Sequence, residues 1–89
     1  MINIKRKNQI IDFLQSEREF YEQAEPNLEF SGKFIASVYD SMKLLRLGKS
    51  LTLWCIQQAD LYKKQEKRFS VKHIVQIYNE MLDKVEEKM

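Results

Sequence analysis

The fold is decided by residues 50–85, which read SLTLWCIQQADLYKKQEKRFSVKHIVQIYNEMLDKV. Apolar residues recur every three or four positions in both halves of this stretch, which is the spacing of an amphipathic helix. A strongly basic segment, KKQEKRFS, separates the two halves at residues 63–70. The pattern predicts a helical hairpin with a basic turn. The recurring apolar positions are Leu51, Trp54, Cys55 and Tyr62, followed by Val71, Ile74, Val75, Tyr78, Leu82 and Val85.

Serines mark the expected starts of both helices of this hairpin. A serine side chain at the N-cap accepts a hydrogen bond from a backbone N–H of the first turn. Ser50 is the expected cap of a third helix over about residues 51–66. Ser70 is the expected cap of a fourth helix over about residues 71–87.

Two further helices are predicted in the N-terminal half. The first covers about residues 5–24 and ends before Pro26, whose ring removes a backbone N–H. The second covers about residues 28–47, with its start left open between a cap at Asn27 and a cap at Ser31. Gly48 follows this helix as a residue suited to the left-handed conformation.

Composition favours one small helical domain. The chain has 89 residues with two glycines and one proline, so there is little material for tight β turns. We expect no internal repeat and no linker long enough to divide domains. Four helices with short connections predict an all-α, antiparallel four-helix bundle that spans residues 1–89 as a single domain.

The sequence also favours a cytoplasmic protein. No stretch approaches the roughly 18 consecutive apolar residues of a membrane span, and no apolar core follows the basic N-terminus as it would in a secretion signal. Cys55 is the single cysteine, and a lone cysteine at an apolar helical position fits a small buried hydrophobe in a reducing compartment.

Neither catalysis nor metal binding is predicted. His73 is the single histidine, and its spacing from Cys55 matches no hydrolase or zinc pattern. Burial in an apolar stripe raises a thiol pKa and makes Cys55 a poor nucleophile. The chain has neither a glycine-rich phosphate loop nor an EF-hand loop. We therefore expect a non-enzymatic protein without metal or cofactor.

The strongest polar feature is a cluster of cations around the basic turn. Residues 30–74 carry nine cations against three carboxylates, whereas residues 10–29 carry a charge of −5. The cluster can be a solvated helix end that complements the helix dipole, or a patch for an acidic protein, phospholipid heads or nucleic acid. Phe69 beside it can pack on the fourth helix or anchor a partner. The candidate partner-binding residues are Lys63, Lys64, Lys67, Arg68, Phe69 and Lys72.

The third helix is apolar over an unusually wide arc. Leu53, Ile56 and Leu61 lie outside its main apolar stripe. A helix that is apolar on more than one side contacts two neighbours or lines an interface. These three residues are therefore also the candidate face of a homodimer.

The C-terminal half resembles a known family. The residues that carry the resemblance are Leu47-Gly48-Lys49-Ser50, then Leu51, Leu53, Trp54 and Tyr62, then Arg68-Phe69, and finally Val71, Ile77-Tyr78 and Leu82. Over about residues 45–85 the order is similar to that of the class IIa, pediocin-like bacteriocin immunity proteins of Gram-positive bacteria. The resemblance implies a small cytoplasmic four-helix bundle that protects a bacteriocin producer by engaging the bacteriocin-bound mannose transporter from inside the cell.

These observations lead to one functional hypothesis and two alternatives. The first is a non-enzymatic immunity or inhibitor protein, cytoplasmic or peripheral at the inner face of the membrane, whose basic turn contacts a membrane-receptor complex. The second is a phage or mobile-element regulatory protein that binds a protein or nucleic acid. The third is a small helical chaperone or homo-oligomer.

Overall fold

Helices dominate the computed structural model, which describes residues 4–89. In chain order its elements are α1 (Ile4–Glu22), β1 (Glu29–Ser31), α2 (Gly32–Met42), α3 (Lys49–Lys63), β2 (Arg68–Ser70) and α4 (Val71–Lys88). A short 3-10 turn, Lys43–Leu45, follows α2. The predicted all-α class is confirmed by the four α-helices of the described residues, to which the structure adds one small two-stranded sheet.

The chain forms two compact units. The terminal unit contains α1 and α4, whereas the central unit, residues 29–70, contains β1, α2, α3 and β2. Each unit therefore joins helices that come from different halves of the sequence.

In the terminal unit, α1 packs against α4 in the antiparallel sense. Lys7 near the start of α1 forms an ion pair with Glu86 near the end of α4, with 3.5 Å between Nζ and Oε2. Farther along α1, a guanidinium N–H of Arg18 donates to Oδ1 of Asn79 at 2.7 Å. The buried residues of the two helices are Ile10, Leu14, Val71, Ile74, Ile77, Tyr78, Met81, Leu82 and Val85.

In the central unit, α2 packs against α3, also in the antiparallel sense. The first residue of α2, Gly32, lies against the backbone at the end of α3. Strand β1 pairs with β2 in antiparallel register, so that Phe30 lies opposite Phe69 and Ser31 opposite Arg68. The buried residues of the two helices are Gly32, Ile35, Ala36, Val38, Tyr39, Met42, Leu51, Cys55 and Ala59.

The element order exposes an internal repeat, so the expectation of no repeat was wrong. Each half of the chain is a helix, a three-residue strand and a second helix that begins directly after the strand. Residues 29–42, EFSGKFIASVYDSM, align without gaps with residues 68–81, RFSVKHIVQIYNEM. Six of the fourteen positions are identical, namely Phe, Ser, Lys, Ile, Tyr and Met in the same order. The repeated Ile, Tyr and Met are buried in both copies, so the two halves share core positions.

Each unit also contains the same stacked tyrosine pair. Tyr21 stacks on Tyr78 in the terminal unit with ring centroids 5.7 Å apart and an interplanar angle of 24°. Tyr62 stacks on Tyr39 in the central unit at 5.7 Å and 26°. The sequences of α1 and α3 can therefore be aligned with Tyr21 on Tyr62. In this alignment the buried residues Ile10 and Leu14 correspond to the buried residues Leu51 and Cys55.

The strands correct the predicted boundaries of the middle helices. The second helix begins at Gly32 and not at residue 28, because residues 29–31 place their backbone groups in the sheet. Of the two caps left open, Ser31 is the one used, and its Oγ accepts from the N–H of Phe34 at 3.0 Å. The third helix is also shorter than predicted, because the chain must reach strand β2. It ends at Lys63 and not at residue 66, and residues 64–67 connect it to β2.

The link between the halves also differs from its prediction. The second helix ends at Met42 and not at residue 47, and the left-handed residue that follows is Arg46, with φ 57°, and not Gly48. Gly48, with φ 92°, is itself the N-cap of α3, because its carbonyl accepts from Thr52 at 3.0 Å. Ser50 consequently lies inside the helix that it was expected to cap.

The outer helices lie close to their predicted positions. The first ends at Glu22, two residues before the predicted 24, and the fourth ends at Lys88, one residue beyond 87. Ser70 directly precedes α4, as predicted.

Replacing Gly32 by alanine is expected to destabilise the protein by about 1–3 kcal/mol, the usual cost of overpacking. A Cβ there would meet the carbonyl oxygens of Tyr62 and Gln65, the second at 2.6 Å, and backbone cannot rotate away as a side chain can. Urea unfolding would measure the loss. Lys33→Ala, at the exposed next position, is the control and should change the unfolding free energy by less than about 0.5 kcal/mol. Equal stability of Gly32→Ala and wild type would contradict the close approach.

Candidate functional site

The six predicted partner-binding residues are divided between the two units. Lys63 ends α3, Lys64 and Lys67 lie in the connection that follows, and Arg68 and Phe69 belong to β2. These five lie in the central unit, whereas Lys72 lies exposed in the first turn of α4 in the terminal unit. The site is therefore built on the central unit.

Phe69 is not the exposed anchor that the sequence suggested. Its side chain is only 6 % exposed, and its ring meets that of Tyr62 edge to face at 5.1 Å between centroids. Lys67 places its Nζ 5.3 Å from the centre of the same ring. The alternation along β2, exposed, buried, exposed, turns Phe69 into the interior while Arg68 and Ser70 point outward. Phe69 thus anchors the turn to the interior of the central unit. Any contact of the turn with a partner would therefore be made by its exposed cations.

A groove brings three of the predicted cations together with a fourth that the prediction missed. It is lined by Ser31, Gly32 and Lys33 at the start of α2, and by Lys63, Lys64, Gln65, Glu66 and Arg68, and has a volume of about 660 Å³. We call it the basic groove. Lys33 reaches it because the strand register sets Ser31 opposite Arg68. Helical periodicity carries no signal for such a long-range pairing. The repeat identifies Lys33 as the counterpart of Lys72, which was among the predicted cations, but does not place it in the groove.

The groove is electropositive. Lys63 is partly neutralised by carboxylates of Asp40 at 3.6 Å and Asp60 at 4.0 Å. Lys33, Lys64 and Arg68 are exposed and form no ion pair among residues 4–89. Glu66 is the one carboxylate among the lining residues. The groove therefore presents an excess of positive charge to solvent, and Arg68 adds a planar guanidinium that suits a bidentate carboxylate.

The repeat supplies an internal comparison for this groove. In the terminal unit the corresponding cleft is lined by Glu22, Ala24, Pro26, Val71, Lys72 and Val75, with a volume of about 420 Å³. Glu22 stands there at the position equivalent to Lys63, and the cleft carries one cation and one carboxylate. A cleft beside the start of the second helix is thus a product of the scaffold, whereas the positive charge is specific to the central unit.

The residues considered for nucleophilic chemistry lie in different units. Cys55 is fully buried in the central unit, and burial raises the pKa of its thiol to about 11, a change that the nearby charge of Lys43 only partly opposes. The prediction of a buried, deactivated thiol is confirmed. His73 is half-buried in the first turn of α4, in the terminal unit.

The described residues also offer no cluster of metal ligands. No three His, Cys, Asp or Glu side chains among residues 4–89 lie close enough to hold a metal ion. The inter-helix segments 23–31 and 64–70 are both shorter than the twelve-residue loop by which an EF-hand binds Ca²⁺.

Comparisons with known proteins add no assignment. No protein-family model, curated protein or solved structure matches the chain. Within residues 4–89 no helix has the length and apolar character needed to cross a membrane.

The exposed arc of α3 is also part of the surface. Leu53, Ile56 and Leu61 are 52 %, 38 % and 55 % exposed. The sequence left open whether these side chains contact a second neighbouring helix or line an interface. Their exposure shows that they do not form a second core face within residues 4–89.

Replacing Phe69 by alanine is expected to lower the free energy of unfolding by about 3–5 kcal/mol, as for other buried aromatic residues. Phe20→Ala is the control of matched chemistry, because Phe20 is 67 % exposed, and it should cost less than about 1 kcal/mol. Thermal and urea unfolding of both variants would make the comparison. Similar small losses in the two variants would show that Phe69 is a surface residue after all.

The buried thiol predicts a dependence of stability on pH. Because the pKa of Cys55 is higher in the folded chain (about 11) than the ordinary 9.0, unfolding becomes easier as pH rises through this window. The loss is on the order of 2 kcal/mol. The decline in stability should be smaller by that amount in Cys55→Ala, because this variant has no thiol to titrate. Equal pH slopes for the two proteins, or rapid reaction of the native thiol with a disulfide reagent at pH 8, would contradict the burial.

Proposed function

We propose that this chain is a non-enzymatic binding protein that acts through contact with an acidic protein partner at the basic groove. The observation that carries the proposal is the set of three exposed cations, Lys33, Lys64 and Arg68, that converge on one groove without ion-pair partners among residues 4–89. Complementary charge steers association and fixes orientation, and close interfacial charge pairs contribute measurable affinity.

The partner class follows from the resemblance in the C-terminal half. The bacteriocin immunity proteins engage a receptor complex at the inner face of the membrane, and one side of the basic groove belongs to the turn that carries part of the resemblance. We therefore propose a cytoplasmic immunity or inhibitor protein, and the partner surface is an acidic face of a bacteriocin-bound receptor. Lys63 and Lys67, held by Asp40 and by the Phe69 ring, flank that contact.

We also propose that the helices form an antiparallel four-helix bundle. Support comes from each unit by itself, since α1 with α4 and α2 with α3 are both antiparallel pairs. Small-angle scattering of the purified chain would test the bundle, because an elongated particle is incompatible with it.

Expression of the chain in bacteriocin-sensitive cells tests the function. We expect a gain in tolerance to at least one pediocin-like peptide, and the gain should fall roughly tenfold or more in Lys64→Gln/Arg68→Gln, since interfacial charge pairs contribute about 1.5 kcal/mol or more. The matched control, Lys5→Gln/Lys88→Gln, removes the same charge from the terminal unit and should protect as wild type does.

Two outcomes would contradict the proposal. One is no protection against any peptide of the class by the folded wild-type chain. The other is firm retention on double-stranded DNA that weakens steeply with salt and is lost in Lys64→Gln/Arg68→Gln. That result would assign the groove to phosphate contacts and to the regulatory-protein alternative.

A further inference from the structure

A second surface of the central unit combines exposed leucine with unpaired cations. The segment after α2, residues 43–49, reads KLLRLGK. Its leucines differ sharply in burial, because Leu47 is 4 % exposed whereas Leu44 is 81 % exposed. A single exposed leucine is common on protein surfaces. Leu44 is unusual in its surroundings, since Lys43, Arg46 and Lys49 all lie within five residues of it.

The exposed face of α3 adjoins this segment. One cleft of about 530 Å³ is lined by Arg46, Gly48, Lys49, Thr52, Leu53 and Ile56. Aliphatic side chains thus form its walls, and two cations stand at the same cleft. Neither Arg46 nor Lys49 forms an ion pair among residues 4–89, whereas Lys43 is bound to Asp40 at 3.3 Å.

The repeat shows that the scaffold does not require these apolar residues. The alignment that equates Tyr21 with Tyr62 places Asp12 opposite Leu53 and Gln15 opposite Ile56. Both counterparts on α1 are exposed polar residues of the ordinary kind. The same helix position tolerates polar side chains in one half and carries exposed aliphatic ones in the other. Core packing therefore does not account for Leu53 and Ile56.

We infer that Leu44, Arg46, Lys49, Leu53 and Ile56 form a surface that binds anionic lipid bilayers. We call these five residues the Leu44 surface. Its leucines enter the boundary of the acyl region while Arg46 and Lys49 contact lipid phosphates. An anionic bilayer offers an apolar layer directly beneath a layer of negative charge, which complements both components of the surface.

The charges favour a membrane over a second copy of the chain. In a two-fold dimer the same patch is buried against itself, so the two copies of Arg46 and Lys49 would bring four cations into one interface. A few aliphatic side chains also fall well short of the roughly 800 Å² per partner that a stable protein interface buries. The inference does not depend on the basic groove or on the proposed function.

Co-sedimentation of the full chain with vesicles provides the test. We expect binding to vesicles of equal parts phosphatidylcholine and phosphatidylglycerol, weakened by salt, and little binding to phosphatidylcholine alone. Leu44→Ser should bind roughly tenfold more weakly, because it removes a side chain that inserts. Arg46→Asn and Lys49→Gln should each weaken binding about fivefold. Asparagine is chosen because it tolerates the left-handed conformation of residue 46.

Two controls keep chemistry matched. Phe20→Ser replaces another largely exposed apolar residue, which lies in the terminal unit, and Lys5→Gln/Lys88→Gln removes two cations from that unit. Both should bind vesicles as wild type does. Helical circular dichroism of every variant would confirm that the fold is retained, which the high exposure of Leu44 leads us to expect.

Three results would overturn the inference. The first is no binding to the anionic vesicles. The second is binding that Lys64→Gln/Arg68→Gln abolishes and that Leu44→Ser and Arg46→Asn leave intact. The third is a dimer in light scattering that Leu53→Ser dissociates, without vesicle binding, which would assign the surface to self-association.

Discussion

The antiparallel pairing of two three-residue strands, centred on Phe30 and Phe69, is the constraint on which the rest of the structure depends. Its hydrogen bonds fix where α2 and α4 begin, because each helix starts at the residue after its strand. Its register brings the start of α2 beside the turn after α3, and so places Lys33 and Arg68 on one groove. The alternation along β2 sends Phe69 inward and leaves Arg68 exposed to solvent.

Helix positions were predictable where periodicity was strong and where no strand intervened. The fourth helix, with buried residues throughout its length, lies within one residue of its predicted ends. The strands were not predictable, since three residues are too few to show a period-two pattern, and only β2 has a buried position. Every large boundary error falls at a strand or at the link between the halves. Of the two roles left open for Phe69, the partner anchor was wrong for the same reason, because the unrecognised strand turns this side chain inward.

The candidate site shows the same division between local and long-range information. Local composition was enough to identify Lys63, Lys64 and Arg68 as a cationic cluster. Lys33 lies about thirty residues earlier, and only the strand register joins it to them. The repeat of Phe and Ser in each strand and of Lys in the following helix was visible in the sequence, yet its meaning required the knowledge that both copies run from a strand into a helix. Comparison of the two copies then distinguishes features common to both units, such as the stacked tyrosines, from features of one unit, such as the positive charge of the basic groove.

The exchange of helices between the halves has a consequence for how the chain holds together. Helix α1 finds its partner in the second half, and α2 does the same, while the strands pair across the halves as well. Both helix pairs described here, and the strand pair, thus join residues from the two halves. Besides burying Leu47 and capping α3 with Gly48, the peptide link at residues 46–48 raises the local concentration of one half near the other. A chain nicked at this link keeps all the residues of these helix and strand contacts, so its two fragments are complementary.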